Sequence, residues 1–195
     1  MRLVAPVRLA RADAYSLSYG MARKAEGQAA LQNALEIAAE TLANPVAEAL
    51  IAALNGELSA LYPEPGANHF RLDPDEVAPG NGIFLVARWH GRPVGCGALR
   101  SIREPALVRE LGSRVGELKR MYVAPDVRGQ GIGRALLNRL ETEGRALGLA
   151  CLVLETGTRQ AEALSLYRRA GFTEISAYGE YVASSATSVC LSKTL

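Results

Sequence analysis

Glycines at 129, 131 and 133 stand directly before an amphipathic run, in the segment RGQGIGRALL, and they restrict the fold more than any other feature of the chain. A glycine inside a helix costs about 1 kcal/mol against alanine. Three of them where a helix begins therefore call for a compensating interaction. An anion supplies one, because a helix N-terminus offers unpaired N–H groups and a partial positive charge that glycines let a phosphate approach closely. Two phosphate-loop patterns fail on these residues. G-x-x-x-x-G-K-[ST] counted from Gly129 meets Arg134 where glycine is required. The dinucleotide pattern G-x-G-x-x-G ends on Arg134 from Gly129, or on Leu136 from Gly131, even though Glu155 imitates the acid that follows it.

The surrounding elements alternate between helix and strand. ALEIAAETL, at 34–42, reads as a strand, and Asn44-Pro45 then supplies the N-cap and first residue of a helix that stops before Pro63. A loop rich in Pro, Gly, Asn and Asp follows, of a length that often covers a binding site. IFLVARWHGRPVGCGALRSI is a β-hairpin around His90-Gly91-Arg92-Pro93, REPALVREL a short helix or an irregular link, and GELKRMYVAP a strand that Pro125 ends. Beyond the glycines, Ile132, Ala135, Leu136, Leu140 and Leu147 fall at helical spacing and Gly148 caps the helix. LACLVLET is apolar throughout, as a strand in the middle of a sheet would be. RQAEALSLYRRAGF is a helix ended by Gly171, and FTEIS and TSVCLSKTL are two further strands. The succession over 117–176 argues for an α/β sheet with the hairpin as its antiparallel part. Residues 1–33 form an N-terminal extension, partly helical or poorly ordered, ahead of a single domain at 34–195.

Composition narrows the function by exclusion. A net charge of +2 with scattered Lys and Arg gives no basic face for nucleic acid and no attraction to an anionic membrane. No apolar run has the length of a membrane span, and MRLVAPVRLARADAYS lacks the apolar core of a secretory signal. Cys96, Cys151 and Cys190 are distant from one another and lie in apolar contexts. They read as buried thiols in a reducing, cytoplasmic compartment rather than as metal ligands.

A third pattern, R/Q-x-x-G-x-G/A, fits at every fixed position: Arg128, Gly129, Gln130, Gly131, Ile132, Gly133. Here the sequence resembles the GNAT superfamily of acetyl-CoA-dependent N-acetyltransferases. The resemblance extends to the strand ending V-A-P before the loop and to ALSLYRRAGF, which carries a tyrosine four residues before Gly-Phe. It implies a mixed, mostly antiparallel sheet flanked by helices, with acetyl-CoA in a cleft between two splayed parallel strands and no metal. Residues 128–133 would wrap the pyrophosphate, with Arg134 within reach of a phosphate. Met121, Tyr122 and Val123 would bond the pantetheine arm through their backbone, with the Val123 N–H polarising the thioester carbonyl. Gln160 stands where the family often has an asparagine against the cofactor. Tyr167 would return a proton to the departing thiolate, and Glu117 would accept one from the amine.

Each site residue also has a plainer reading: Tyr167 as packing, Arg128 as a surface charge, Glu117 as an exposed carboxylate paired with Lys119 or Arg120. The implied activity is acetyl transfer to a primary amine of a small molecule or peptide by direct attack. A coenzyme-A-binding regulator without turnover is the alternative, and a monomer and a homodimer both stay open.

Overall fold

The computed structural model describes residues 34–64, 71–112 and 114–195. The expected N-terminal extension lies outside them, as does part of the long loop. A two-residue turn sets the register of the first half of the sheet. His90 (φ 50°) and Gly91 (φ 79°) both have positive φ, the geometry that matches the twist of paired strands. It joins strand β2 (Gly82–Trp89) to β3 (Arg92–Ile102), and β1 (Leu35–Ala39) pairs with the outer side of β2. REPALVREL resolves as a short helix, α2 (Pro105–Leu111). Strand β4 (Val115–Val123) follows antiparallel to β3.

The seven strands run in the order β1-β2-β3-β4-β5-β7-β6, with β5 at Cys151–Gly157, β6 at Thr173–Ile175 and β7 at Ser188–Thr194. All neighbours are antiparallel except β4 and β5, which are parallel and pair only from Val115↔Cys151 to Leu118↔Leu154. Beyond Leu118 the two strands continue without pairing. The mostly antiparallel sheet with two splayed parallel strands is thus the observed architecture.

Helices cover both faces. On one face, α3 (Ile132–Ala146) buries Ile132, Leu136, Leu137 and Leu140 against Leu85, Leu99, Leu118, Leu152 and Leu154, joined by Tyr167 and Phe172 from α4 (Ala161–Arg169) and its end. Burying each such side chain is worth about 1.5–3 kcal/mol. On the other face, α1 (Pro45–Leu61) packs Ala47, Leu50 and Leu54 onto Phe84, Val86, Cys96, Ala98 and Tyr122. Leu107 of α2 and the 3-10 turn Gly179–Val182 cover Val115, Val153 and Cys190 further along. That second face is therefore covered by two separate groups of side chains.

Local chemistry sets the helix ends. Asn44 accepts the Val46 N–H at 2.8 Å and Pro45 opens α1. Helix α3 ends on Gly148 (φ 72°), with Leu149 N–H bonded to Gly144 O and Gly148 N–H to Arg145 O. Helix α4 ends the same way: Phe172 N–H bonds to Tyr167 O and Gly171 N–H to Arg168 O. In this cap the residue after the glycine packs on the one whose carbonyl it bonds. Phe172 accordingly sits edge-on to Tyr167 at 5.8 Å. The Tyr-x-x-x-Gly-Phe spacing thus has a packing reason that uses the tyrosine ring and not its hydroxyl.

Tyr62, at the C-terminal end of α1, lies over Gly157 at the end of β5, and its hydroxyl accepts the Arg159 N–H at 2.6 Å. A Cβ at Gly157 would stand 2.1 Å from that hydroxyl and 2.4 Å from a ring carbon. Gly157→Ala is expected to lower unfolding free energy by about 1–3 kcal/mol through overpacking, as measured by urea denaturation.

Candidate active site

The gap between β4 and β5 begins where their pairing stops. Two residues beyond the last pair, Arg120 adopts a left-handed conformation (φ 57°), and the β3 register skips from Cys96↔Tyr122 to Ala98↔Lys119. This is a β-bulge. A non-glycine residue held there costs of order 1–3 kcal/mol and persists only where its surroundings enforce it. Cys96 does so in part, its thiol donating to the Arg120 carbonyl at 3.3 Å. Past the bulge, Ala124 N–H bonds to Val94 O, which makes Gly95 and Val123 a pair without mutual hydrogen bonds. The Val123 N–H and C=O consequently point away from β3, toward the gap.

The glycine loop closes one end of that gap. Pro125–Val127 forms a 3-10 turn, Arg128 is extended, and Gly129 (φ 78°) and Gly131 (φ 87°) take conformations that favour glycine. Gly131 is the N-cap of α3 and has no side chain to satisfy the first N–H groups. Gly133 is less constrained: a Cβ there would make only ordinary contacts with Leu166 and Val123. Gln130 and Arg134 are exposed, and Ile132, 1% exposed, anchors the helix start in the core. The Arg128 guanidinium faces α1 and β4, where Nε donates to Val123 O at 2.9 Å and Nη2 pairs with Glu57 at 2.7 Å. The loop's offer to an anion is therefore its backbone. Gln160 caps α4 with no side-chain cap bond, its N–H donating to Gly157 O.

Tyr167 packs in the core on the face of α3 and α4. It is 5% exposed, and burial, with a smaller contribution from the Glu155 charge, raises its phenol well above the ordinary value. The phenol therefore stays protonated through neutral pH. Burial acts on the thiols likewise, pushing Cys190 up to about 11 and Cys96 up to about 12. Neither presents a thiolate nucleophile.

The opposite face of β4 is polar, which is unusual for a central strand. Glu117, Lys119 and Arg120 are all below 9% exposed. Glu117, at 1%, is neither exposed nor paired with Lys119 or Arg120, so that plainer reading is corrected. Its cross-strand partner is Arg100, whose guanidinium binds Oε2 at 2.6 Å, and its Oε1 accepts the hydroxyls of Tyr178 and Tyr181 at 2.9 Å each. Arg100 also pairs with Glu76. Lys119 pairs with Glu180 at 3.0 Å, and Arg120 donates to Asn55 of α1. Glu117, Arg100, Tyr178, Tyr181 and Glu180 line a cavity of about 400 Å³ beside residues 100–104 at the end of β3. Arg100 stands in no motif, whereas Tyr178 and Tyr181 stand with Glu180 in SAYGEYVASSATS, a segment that mixes tyrosines with an acid. Among the described residues no group of three or more His, Cys, Asp or Glu could hold a metal ion, and no helix is long and apolar enough to cross a membrane.

Residues 47–172 match the model of the acetyltransferase (GNAT) family, and the chain belongs to that family. It is an acetyltransferase. Over 132 residues it is 46% identical to an IAA acetyltransferase of Azospirillum brasilense, covering 68% of this chain and 80% of that protein. The crystal structure of a Klebsiella pneumoniae protein described as an acyl-CoA N-acyltransferase superposes with a TM-score of 0.65 at 32% identity, covering 83% and 97% of the two chains. A GNAT acetyltransferase from Elizabethkingia anophelis with acetyl-CoA bound shares the fold, with a TM-score of 0.57 at 19% identity over 83% and 98%.

The buried and exposed ion pairs carry different weight. Arg100→Met leaves Glu117 charged and uncompensated, and is expected to cost about 3–5 kcal/mol in chemical denaturation. Arg168→Ala breaks the exposed Arg168–Glu174 pair and is expected to cost less than about 1 kcal/mol.

Proposed function

We propose that the chain transfers the acetyl group of acetyl-CoA to a primary amine of a small molecule or peptide, by direct attack in a ternary complex. One observation carries the reading: β4 and β5 part beyond Leu118↔Leu154, and the Val123 amide faces the gap beside an uncapped, glycine-led helix start. Acetyl-CoA would lie there with its pyrophosphate on the backbone of 129–133 and its pantetheine along Met121–Val123. Gln160 would stand at the gap's far side. The acetyl carbonyl on the Val123 N–H would gain a backbone oxyanion site, worth about 2.7–4 kcal/mol where such donors have been removed.

The two faces of the sheet then divide the proton chemistry. The amine enters from the cavity side, where Glu117 and the two tyrosine hydroxyls meet, and loses one ammonium proton there. The neutral nitrogen attacks the thioester carbon, and the tetrahedral intermediate collapses with cleavage of the C–S bond. Tyr167, on the opposite face, donates its proton to the departing thiolate, and the second proton shed by the attacking nitrogen restores the phenol by way of solvent. The reaction balances as ammonium plus acetyl-CoA giving amide, coenzyme A thiol and one proton to solvent. A raised phenol is a weaker acid, but the burial that raises it also raises thiols here, as Cys96 and Cys190 demonstrate. The three cysteines of the chain are buried, in keeping with direct attack rather than an acetyl-cysteine intermediate.

Tyr167→Phe keeps the ring that packs on Phe172 and removes only the hydroxyl. With acetyl-CoA and a panel of primary amines, followed by thiol release, kcat is expected to fall about 10²-fold or more while the calorimetric Kd for acetyl-CoA stays within about twofold. An unchanged kcat would return Tyr167 to a packing role.

A further inference from the structure

Glu117 presents a difficulty as a direct base. Its Oε2 faces Arg100, and its Oε1 already accepts two phenol hydroxyls. Tyr178 and Tyr181 line the cavity beside Glu117. The two phenols differ in where they lead. Burial raises both, and the Glu117 charge adds to the rise at each. The charges acting on Tyr181 are Glu117, Glu180 and Glu155, and the Lys119 ammonium lies 5.6 Å from its ring centroid. Lys119 is the first β4 residue beyond the last pair with β5. Of the two phenols bonded to Glu117, Tyr181 is thus the one whose ring lies against the residue at which the strands separate.

We infer that Tyr181 is a proton relay: its hydroxyl takes the proton of the incoming ammonium while passing its own to Oε1 of Glu117. The inference rests on the acetyl-transfer reading above. One N–H bond and one O–H bond break, and one O–H bond forms on Tyr181 and one on Glu117. The products of the step are a neutral amine, an intact phenol and a carboxylic acid. No phenolate forms, which suits a hydroxyl that burial holds protonated. Glu76, Arg100 and Glu117 together carry a net charge of −1, with Arg100 between the two carboxylates. Protonation of Glu117 brings that triad to neutrality and leaves Arg100 paired with Glu76. The Lys119–Glu180 pair on the far side of Tyr181 is neutral overall, Arg120 adds a positive charge toward α1, and Glu155 adds a negative one from β5. Tyr178 holds the same Oε1 and keeps the carboxylate aimed at Tyr181.

A relay of this kind is needed only for acceptors that arrive protonated, and the test uses that dependence. Wild type, Tyr181→Phe and Tyr178→Phe would be assayed with acetyl-CoA and primary amines from the aniline class, neutral at pH 7, to alkyl amines with a conjugate acid near 10. For alkyl amines Tyr181→Phe is expected to lose about 10²-fold in kcat, and for aniline-class acceptors about threefold or less. Acetyl-CoA affinity should be unchanged, and Tyr178→Phe should lose less than Tyr181→Phe. In the double variant Glu117→Gln with Tyr181→Phe, the loss should match that of Glu117→Gln alone, because the two act as one unit. A Tyr181→Phe loss that is equal for both acceptor classes, or absent, would overturn the relay while leaving acetyl transfer standing. A wild type that binds acetyl-CoA yet acetylates no amine would overturn both.

Discussion

Strand β4 stops pairing with β5 after four residue pairs, and the site follows from that divergence. Parallel strands normally keep their ladder, because an unpaired backbone amide in the middle of a sheet is costly. Here Gly157, at the end of β5, is covered by Tyr62, and the bulge at Arg120 turns β4 away. The bulge also resets the alternation of side chains, so that Lys119 and Tyr122 share one face although an odd number of positions separates them. Without the bulge Val123 would present its amide differently, and the glycine loop would begin from another direction.

The sheet works as a partition with a slot in it. On one side lie the aliphatic core, the start of α3 and the phenol of Tyr167; on the other lie a buried carboxylate, its guanidinium partner and two further phenols. Burial serves opposite ends on the two sides. Around Tyr167 it keeps the phenol protonated, as the proposed proton donor must be. Around Glu117 it makes charge compensation compulsory, so Arg100 is shared between Glu76 and Glu117 rather than committed to one. A protein selected for stability alone has little reason to bury Glu117, Lys119 and Arg120 on one central strand, since a buried ion pair rarely outperforms apolar packing. That strand is where local rules yield to function.

Much of this was legible in the chain because the signals were local. Asn44-Pro45 announces a helix start, His90-Gly91 a hairpin, and Gly148 and Gly171 helix ends, each through the backbone of neighbouring residues. The glycine loop was legible for the same reason: Gly129 and Gly131 take positive φ, which few other residues adopt. The Glu117 site was not. Its members come from β3, β4, the turn at 74–77 and the 3-10 turn near the C-terminus, and only the sheet order brings them together. Glu117 and Tyr178 are 61 positions apart, and nothing near either residue indicates the other. Arg128 shows the reverse: its place in the motif indicated a phosphate, whereas its side chain supports the Val123 carbonyl and Glu57 on α1.

The most direct measurement is a crystal structure with an unreactive ketone analogue of acetyl-CoA. The pyrophosphate should lie within hydrogen-bond distance of the amides at 131–133. The carbonyl oxygen should lie about 3 Å from the Val123 N–H, with the Tyr167 hydroxyl on the sulfur and Tyr181 on the far side of the carbonyl. An analogue bound outside the gap between β4 and β5, or one whose sulfur is beyond reach of Tyr167, would contradict the division of chemistry between the two faces of the sheet.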